Sequence, residues 1–465
     1  MKIFILILFV LTYVGIIAFS KYKPHITGVA ALIAVIACSI FGYMTWYEPF
    51  FFATEENLFG SAINYNVVMM LVGIMITVGL FSESKMPNKI ADKLISKIPN
   101  AMWILVLLSV LSGLISAFVD NVATVLMLAP VGLAVAKKTG VNPIPVLISI
   151  AVSSNLQGAA TLVGDTTSVM LAGELGLNFM DFFFYNGKMS MFWAVELGMV
   201  LTIPVLIFIF RKSNKKFKVE SEDIKVTTLF PTFMLVLNIL CLVFCSTIVE
   251  ALPVGFVKDF LGEYINGLLC LIFGIITMIH HLITAKKTVE VTNEDGTVST
   301  VSGKKEAWKT IFGTIDYTTV LFLIFLFVLI RAVDRVGIIA DIANFFGWVG
   351  EKGSIFLLYT LIVFGSVLIS AFIDNIPYVA TMLPIIAALG YEGNVFTLLC
   401  FGLLCGATLG GNITPVGASA NVVAIGMLNK EGYNVKSSDF FKIGIPFTLV
   451  AVLGGYLFIY LVWGI

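Results

Sequence analysis

Three acidic residues stand where apolar sequence should exclude them: Asp120 and Asp374, each near the middle of a long hydrophobic stretch, and Asp165 within a third. A charged side chain at the centre of a bilayer costs at least about 2.5–3.5 kcal/mol on insertion scales, and function is the usual reason to keep one. Such a carboxylate needs a cation or a proton beside it, and exchange between the two is a coupling chemistry. Aspartate is also a preferred helix N-cap, so Asp120 and Asp374 have a structural role open to them that coexists with ion binding. Asp165 differs: its counterpart in the internal repeat described below is Ala418, so the fold by itself does not require an acid there.

Two polar segments interrupt apolar spans. One runs Ser153-Ser-Asn-Leu-Gln-Gly-Ala-Ala-Thr-Leu-Val-Gly-Asp-Thr-Thr-Ser168, the other Ala407-Thr-Leu-Gly-Gly-Asn-Ile-Thr-Pro-Val-Gly-Ala-Ser-Ala-Asn421. Gly410-Gly411 and Pro415 are poor residues for a continuous helix. Backbone groups freed in lipid need partners, so a break is tolerated where it lines a cavity or a bound ion. A kinked helix whose small residues let neighbours approach is the structural alternative. Unwound carbonyls with Asn, Ser and Thr oxygens suit a small hard cation, while the half-helix amino termini offer N–H groups to an anion. The candidate ion-binding residues are therefore Asp120, Asn121 and Thr124, then Ser154, Asn155, Gly158, Thr161, Gly164, Asp165 and Thr166 in the first break. In the second half they are Asp374 and Asn375, then Thr408, Gly411, Asn412, Thr414, Gly417, Ser419 and Asn421. Sodium is the expected ion, with Asn121, Asn155, Asp165, Asn375 and Asn412 as candidate ligands. Two quasi-symmetric sites are expected, one from Asn121, Asn155 and Thr161, the other from Asn375, Asn412 and Thr414.

The elements that must position these residues are membrane spans. The 465 residues are 59% hydrophobic and only 12% charged, with a mean hydropathy of +1.02, whereas soluble domains carry about 25% charged residues. Ten spans are legible, at 3–20, 25–44, 64–82, 144–172, 190–210, 227–247, 264–284, 316–333, 395–428 and 444–463. Each is long enough, or nearly so, for a hydrocarbon core of about 30 Å. The first is read as a retained span rather than a signal peptide, because a second span follows at once. Two further stretches, 101–136 and 354–389, are too long for one span and carry an Asp-Asn pair near the middle, which fits re-entrant hairpins with the pair at each tip. With both taken as re-entrant, 22 of the 28 basic residues fall on one face, which the positive-inside rule assigns to the cytoplasm, leaving both termini outside.

The chain repeats itself. Ser116-Ala-Phe-Val-Asp-Asn-Val122 returns as Ser370-Ala-Phe-Ile-Asp-Asn-Ile376, Pro130 as Pro384, and Thr161-Leu-Val-Gly164 as Thr414-Pro-Val-Gly417. Asn64-Tyr-Asn-Val-Val68 parallels Asp316-Tyr-Thr-Thr-Val320. Each half, 1–212 and 213–465, holds five spans and one hairpin. Five is odd, so the second half must enter the bilayer upside down, the plan of many secondary transporters with a site at the midplane. Within the halves, 101–172 and 354–428 are the expected transport regions and the other spans a scaffold. The expected fold is thus an all-α polytopic membrane protein of two inverted repeats with discontinuous helices. The polar stretch 286–309 reads as a solvated loop. The six cysteines read as small core residues, and His25, His280 and His281 as span-end side chains. A net charge of zero points to no nucleic acid or other polyanionic partner. No Walker motif, nucleophile elbow or metal-ligand cluster is present, so neither enzyme chemistry nor ATP-driven pumping is expected, and no cofactor beyond the ion.

These motifs, above all 116–124, 161–168 and 410–421, resemble those of the ion transporter superfamily that includes arsenite-efflux permeases, NhaD-type sodium/proton antiporters, the melanosomal P protein and the divalent anion/sodium symporters. In the symporter branch the tips carry Ser-Asn-Thr and bind carboxylate substrate. Here Asp120-Asn121 and Asp374-Asn375 occupy the matching tips, and an acid at each would repel a dicarboxylate. Gly164-Asp165-Thr-Thr is closer to the antiporter and P protein branches. The resemblance implies a homodimer in the lipid bilayer whose hairpins and broken helices move as an elevator, in a bacterial plasma membrane. The first reading is sodium/proton antiport. The alternative is an ion-coupled anion transporter for a carboxylate or an arsenite-like oxyanion, and a passive anion channel on the same scaffold is a third class.

Overall fold

The computed structural model describes residues 1–50, 62–217, 224–253, 255–292 and 298–464. Its order is α1 (Lys2–Ala18), α2 (Lys23–Ile40), α3 (Tyr65–Glu83), α4 (Met86–Ile95), α5 (Ala101–Ser116), α6 (Asn121–Thr139), α7 (Pro143–Gly158) and α8 (Thr166–Leu175). A short hairpin, β1 (Phe184–Tyr185) and β2 (Lys188–Met189), precedes α9 (Met191–Phe210), α10 (Phe230–Glu250) and α11 (Phe256–Thr284). A second antiparallel hairpin follows, β3 (Thr288–Thr292) and β4 (Val298–Ser302). The rest is helical: α12 (Gly303–Thr314), α13 (Tyr317–Arg335), α14 (Ile338–Lys352), α15 (Ile355–Ser370), α16 (Asn375–Ala387), α17 (Gly393–Gly410), α18 (Ser419–Lys430) and α19 (Ser437–Trp463).

Among the described residues eight helices are long and apolar enough to cross a membrane. The two hairpins are α5–α6 and α15–α16, and both turn at the Asp-Asn pair. Asn100 starts α5 by accepting from Met102 N–H at 3.0 Å, and Asn142 with Pro143 starts α7, its side chain accepting from Ile144 N–H. Both broken spans are broken where the sequence loses its apolar run, between Gly158 and Thr166 and between Gly410 and Ser419.

The chain forms two compact units, one from 1–64, 91–221 and 318–465, the other from 65–90 and 222–317. The second unit is built on α3 and α11, which pack backbone to backbone: a Cβ on Gly73 would stand 2.2 Å from the carbonyl carbon of Cys270. Small residues permit that approach where lipid gives helices no hydrophobic reason to associate. Asn66 adds a polar contact, its side chain accepting from Gly267 N–H at 2.7 Å. In the first unit the same device seats a hairpin on a broken helix. Gly402, Gly406 and Gly410 lie one turn apart on α17, and Cβ atoms there would meet Tyr359, Val363 and Val367 of α15 at 2.5, 2.3 and 2.6 Å.

One expectation is corrected. The stretch 286–309, of which 293–297 lie outside the described residues, is not a bare loop: it carries the β3–β4 ribbon and the start of α12. Threonine and valine at alternate positions favour strand pairing where no apolar run marks a span. Helices α4, α12 and α14 were also not legible as spans, because they are short and amphipathic. On α14, Ile338, Ile339 and Ala343 are buried while Phe345 and Trp348 are exposed, the placement expected of aromatic side chains at a membrane interface.

Candidate ion-binding site

Each hairpin tip is pinned to the break of its own half by the same contact. Thr161 Oγ1 donates to the carbonyl of Ala117, and its counterpart Thr414 Oγ1 donates to that of Ala371. Seven residues before each threonine, Ser154 Oγ donates to Ser116 Oγ at 2.9 Å, and the Ala407 carbonyl accepts from Ser370 Oγ at 2.5 Å. Glycine is required within both breaks. A Cβ on Gly164 would sit 2.6 Å from the Gly158 carbonyl oxygen, and one on Gly417 2.7 Å from that of Gly411. Side chains then tie each loop shut, Ser168 donating to the Gly158 carbonyl at 3.2 Å and Asn421 to those of Gly411 and Thr414 at 2.9 and 3.0 Å.

The two breaks also meet each other. Asn155 is fully buried, accepting from Asn121 Nδ2 at 3.0 Å and donating to the Thr408 carbonyl at 2.8 Å and to Asn412 Oδ1 at 3.1 Å. Asn412 in turn donates to the Val152 carbonyl at 3.0 Å. The first expected cluster, Asn121 with Asn155 and Thr161, is therefore brought together around one tip. The second is divided: Asn412 faces the first break, and Asn375 reaches across to Asp165, its Nδ2 lying 3.5 Å from Oδ2. The repeat is unequal here: the counterpart of Asn155 is Thr408, and Asn412, four residues further on, matches Ala159, so the two asparagines do not occupy equivalent positions.

Asp165 is the convergence point. Its side chain is 6% exposed, caps α8 by accepting from Thr166 N–H at 2.7 Å, and accepts from Thr167 Oγ1 at 3.0 Å. Thr167 Oγ1 also lies 3.3 Å from Thr408 Oγ1 of the second break. The Asp165 carboxylate, the Thr167 and Thr408 hydroxyls and the Asn375 side-chain amide N–H, drawn from both breaks and the second tip, thus converge on one buried place. Among the described residues no cluster of three His, Cys, Asp or Glu side chains is arranged to hold a metal.

The remaining expected residues have separate places. Thr124 is buried and donates back to the Val119 carbonyl at 3.4 Å. Ser419 is exposed at the start of α18. Asp120 caps α6, as its residue type suggested, while Asp374 makes no capping hydrogen bond. Sequence reasoning did not single out Thr167, Lys23 or Tyr13. Thr167 lies inside the quoted break motif, where its spacing of two from Asp165 is the signal; the other two come from distant sequence and carried none.

Membrane-crossing helices together with paired hairpins and broken helices are the frame of a polytopic membrane transporter. Residues 6–399 match the model of the CitMHS citrate transporter family, and the chain belongs to that family. An uncharacterized transporter of Mycobacterium bovis is 28% identical over 88% of this chain and 89% of its own length. The 46 kDa membrane protein of Mycobacterium leprae is 26% identical over 97% and 96%. The human P protein is 24% identical over 84% of this chain and 53% of its own. Among solved structures, the YdaH transporter of Alcanivorax borkumensis superposes with a TM-score of 0.56 at 13% identity, over 92% of this chain and 88% of that one. MtrF of Neisseria gonorrhoeae, described as an antimetabolite efflux pump, gives 0.54 at 14%, over 93% and 84%. These two likenesses concern the fold alone.

Proposed function

We propose that this protein is a sodium-linked secondary transporter that exchanges sodium for protons, with Asp165 as the group that holds one or the other. The observation that supports this most is the place of Asp165: buried in the first break, facing the tip of the second hairpin, with Thr167 and Asn375 on the same carboxylate oxygen. A carboxylate so enclosed must be neutralised to remain there, and alternate neutralisation by sodium or a proton couples the two. The halves 1–212 and 213–465 are read as inverted repeats, with 101–172 and 354–428 as the moving part of an elevator, working as a homodimer with both termini outside. The sodium site belongs to Asn121, Asn155, Asp165, Asn375 and Asn412 in this reading.

Ion-coupled carboxylate transport is the second reading, favoured by the family description as citrate transporters. Proteoliposomes loaded with a pH-sensitive dye separate the two. Antiport requires an outward sodium gradient to drive proton entry with no anion present. Carboxylate transport requires citrate or another carboxylate to accumulate only under an ion gradient. Sodium- and lithium-insensitive lumenal pH would end the antiport reading.

A further inference from the structure

The two tip aspartates occupy the same position in the repeat and are used differently. Asp120 accepts through Oδ2 from Val122 N–H at 3.0 Å and Ala123 N–H at 3.2 Å. At the second tip the residue matching Ala123 is Pro377, which has no N–H to give, and Asp374 makes no cap hydrogen bond. Its Oδ2 lies instead 3.4 Å from Nζ of Lys23, the first residue of α2. Both side chains are largely withdrawn from solvent, 13% exposed for Lys23 and 21% for Asp374. The ammonium also stands 5.3 Å from the centre of the Phe322 ring, whose π face attracts it. Tyr13 of α1 grips the same helix near its start, donating to the Pro377 carbonyl at 2.7 Å and lying 2.5 Å from Thr381 Oγ1.

A lysine ammonium against a half-buried carboxylate is a bound cation that the protein carries on its own chain. Resting on the cation-transport reading above, we propose that Lys23 is a tethered counter-cation for Asp374, which a transported inorganic cation must displace before the second hairpin tip engages it. The proline at position 377 removes one of the two backbone donors that Asp120 uses at the first tip, and the aspartate is turned from helix capping to ion pairing. At the first tip, backbone amides hold the equivalent carboxylate, so the two tips are chemically unequal although their sequences nearly match. Lys23 thereby sets how much cation is needed to occupy the second tip. Its departure also undoes one of the contacts fastening α16 to the α1–α2 turn.

The test is sodium titration of the purified full-length protein, read as thermal stabilisation, for wild type, Lys23→Gln, Asp374→Asn and the double variant. Lys23→Gln should bind sodium about tenfold more tightly, and the gain should vanish in the Asp374→Asn background, since the pair acts as a unit. Lys23→Arg, which keeps the charge, should behave as wild type. Unchanged or weaker sodium affinity in Lys23→Gln, or a gain that survives Asp374→Asn, overturns the proposal. Should Lys23→Gln fail to fold, the wild-type protein still decides: sodium must speed the reaction of the Lys23 amine with a small acylating reagent, and a sodium-insensitive rate refutes displacement. A wild type that responds to no alkali cation by either readout removes the antiport reading and this proposal with it, whereas a responsive wild type with an unaltered Lys23→Gln removes this proposal alone.

Discussion

Asn155 donates its side-chain amide to the backbone carbonyl of Thr408 at 2.8 Å, and these two residues are counterparts in the internal repeat. The contact therefore lies where the two halves of the chain meet each other at equivalent points. One half contributes a side chain and the other a backbone oxygen, so a near-symmetric sequence produces an asymmetric junction. Asn412, Asn121 and Thr167 all gather near it.

Asn155→Ala should be among the most damaging polar substitutions in the chain. It removes three buried hydrogen bonds and leaves the Asn121 amide and the Thr408 carbonyl short of a partner. Each such orphaned group costs about 1–3 kcal/mol. A clear fall in melting temperature in detergent is expected, with weakened sodium stabilisation. An Asn155→Ala protein as stable as wild type would show that the junction does not hold the two breaks together.

Thr161→Val and Thr414→Val should weaken the protein to a similar extent, by about 1 kcal/mol or more each. Both delete the hydroxyl that pins a break to its hairpin at Ala117 or Ala371. Serine at either position keeps the donor and should be close to wild type. Thermal melts of the four variants check this; valine and serine variants of equal stability would remove the hydroxyl from the account.

Gly164→Ala and Gly417→Ala should both destabilise, by about 1–3 kcal/mol as overpacking does. The added methyl would meet a carbonyl oxygen at 2.6 or 2.7 Å across each break, and backbone, unlike a flexible side-chain end, cannot step aside. Gly140→Ala faces no neighbour within 4 Å and carries only the strain of its positive φ, 68°. Gly164→Ala should therefore disturb sodium binding, and Gly140→Ala should leave it intact, by the same titration.

Asp165→Asn separates capping from charge. Asparagine also caps helices, so α8 should persist and the melting temperature in the absence of sodium should stay near wild type. Sodium-driven proton movement in vesicles should be lost, because nothing at that position then exchanges a proton for a cation. Asp120→Asn keeps the cap on α6 and should retain coupled flux, at reduced affinity for sodium since one neighbouring negative charge is gone. Wild-type flux in Asp165→Asn would move the exchanged proton elsewhere.

The membrane class, the hairpins and the breaks were legible in the sequence because lipid imposes a rule that composition records directly: runs of apolar residues span, and polar or glycine-rich interruptions need a reason. Repetition did the rest, since Asp120-Asn121 and Asp374-Asn375, or Thr161 and Thr414, announce themselves by recurring in matched surroundings. What recurrence could not convey is which side chain faces which. The sequence pairs Asn375 with Asn412 by symmetry, whereas the folded chain turns Asn375 to Asp165 and Asn412 to Asn155 and the Val152 carbonyl. Lys23 and Tyr13 reach the second tip from more than 350 residues away in the chain. Such contacts depend on packing between distant helices, and no local pattern encodes the distance between two side chains that only the closed tertiary fold brings together.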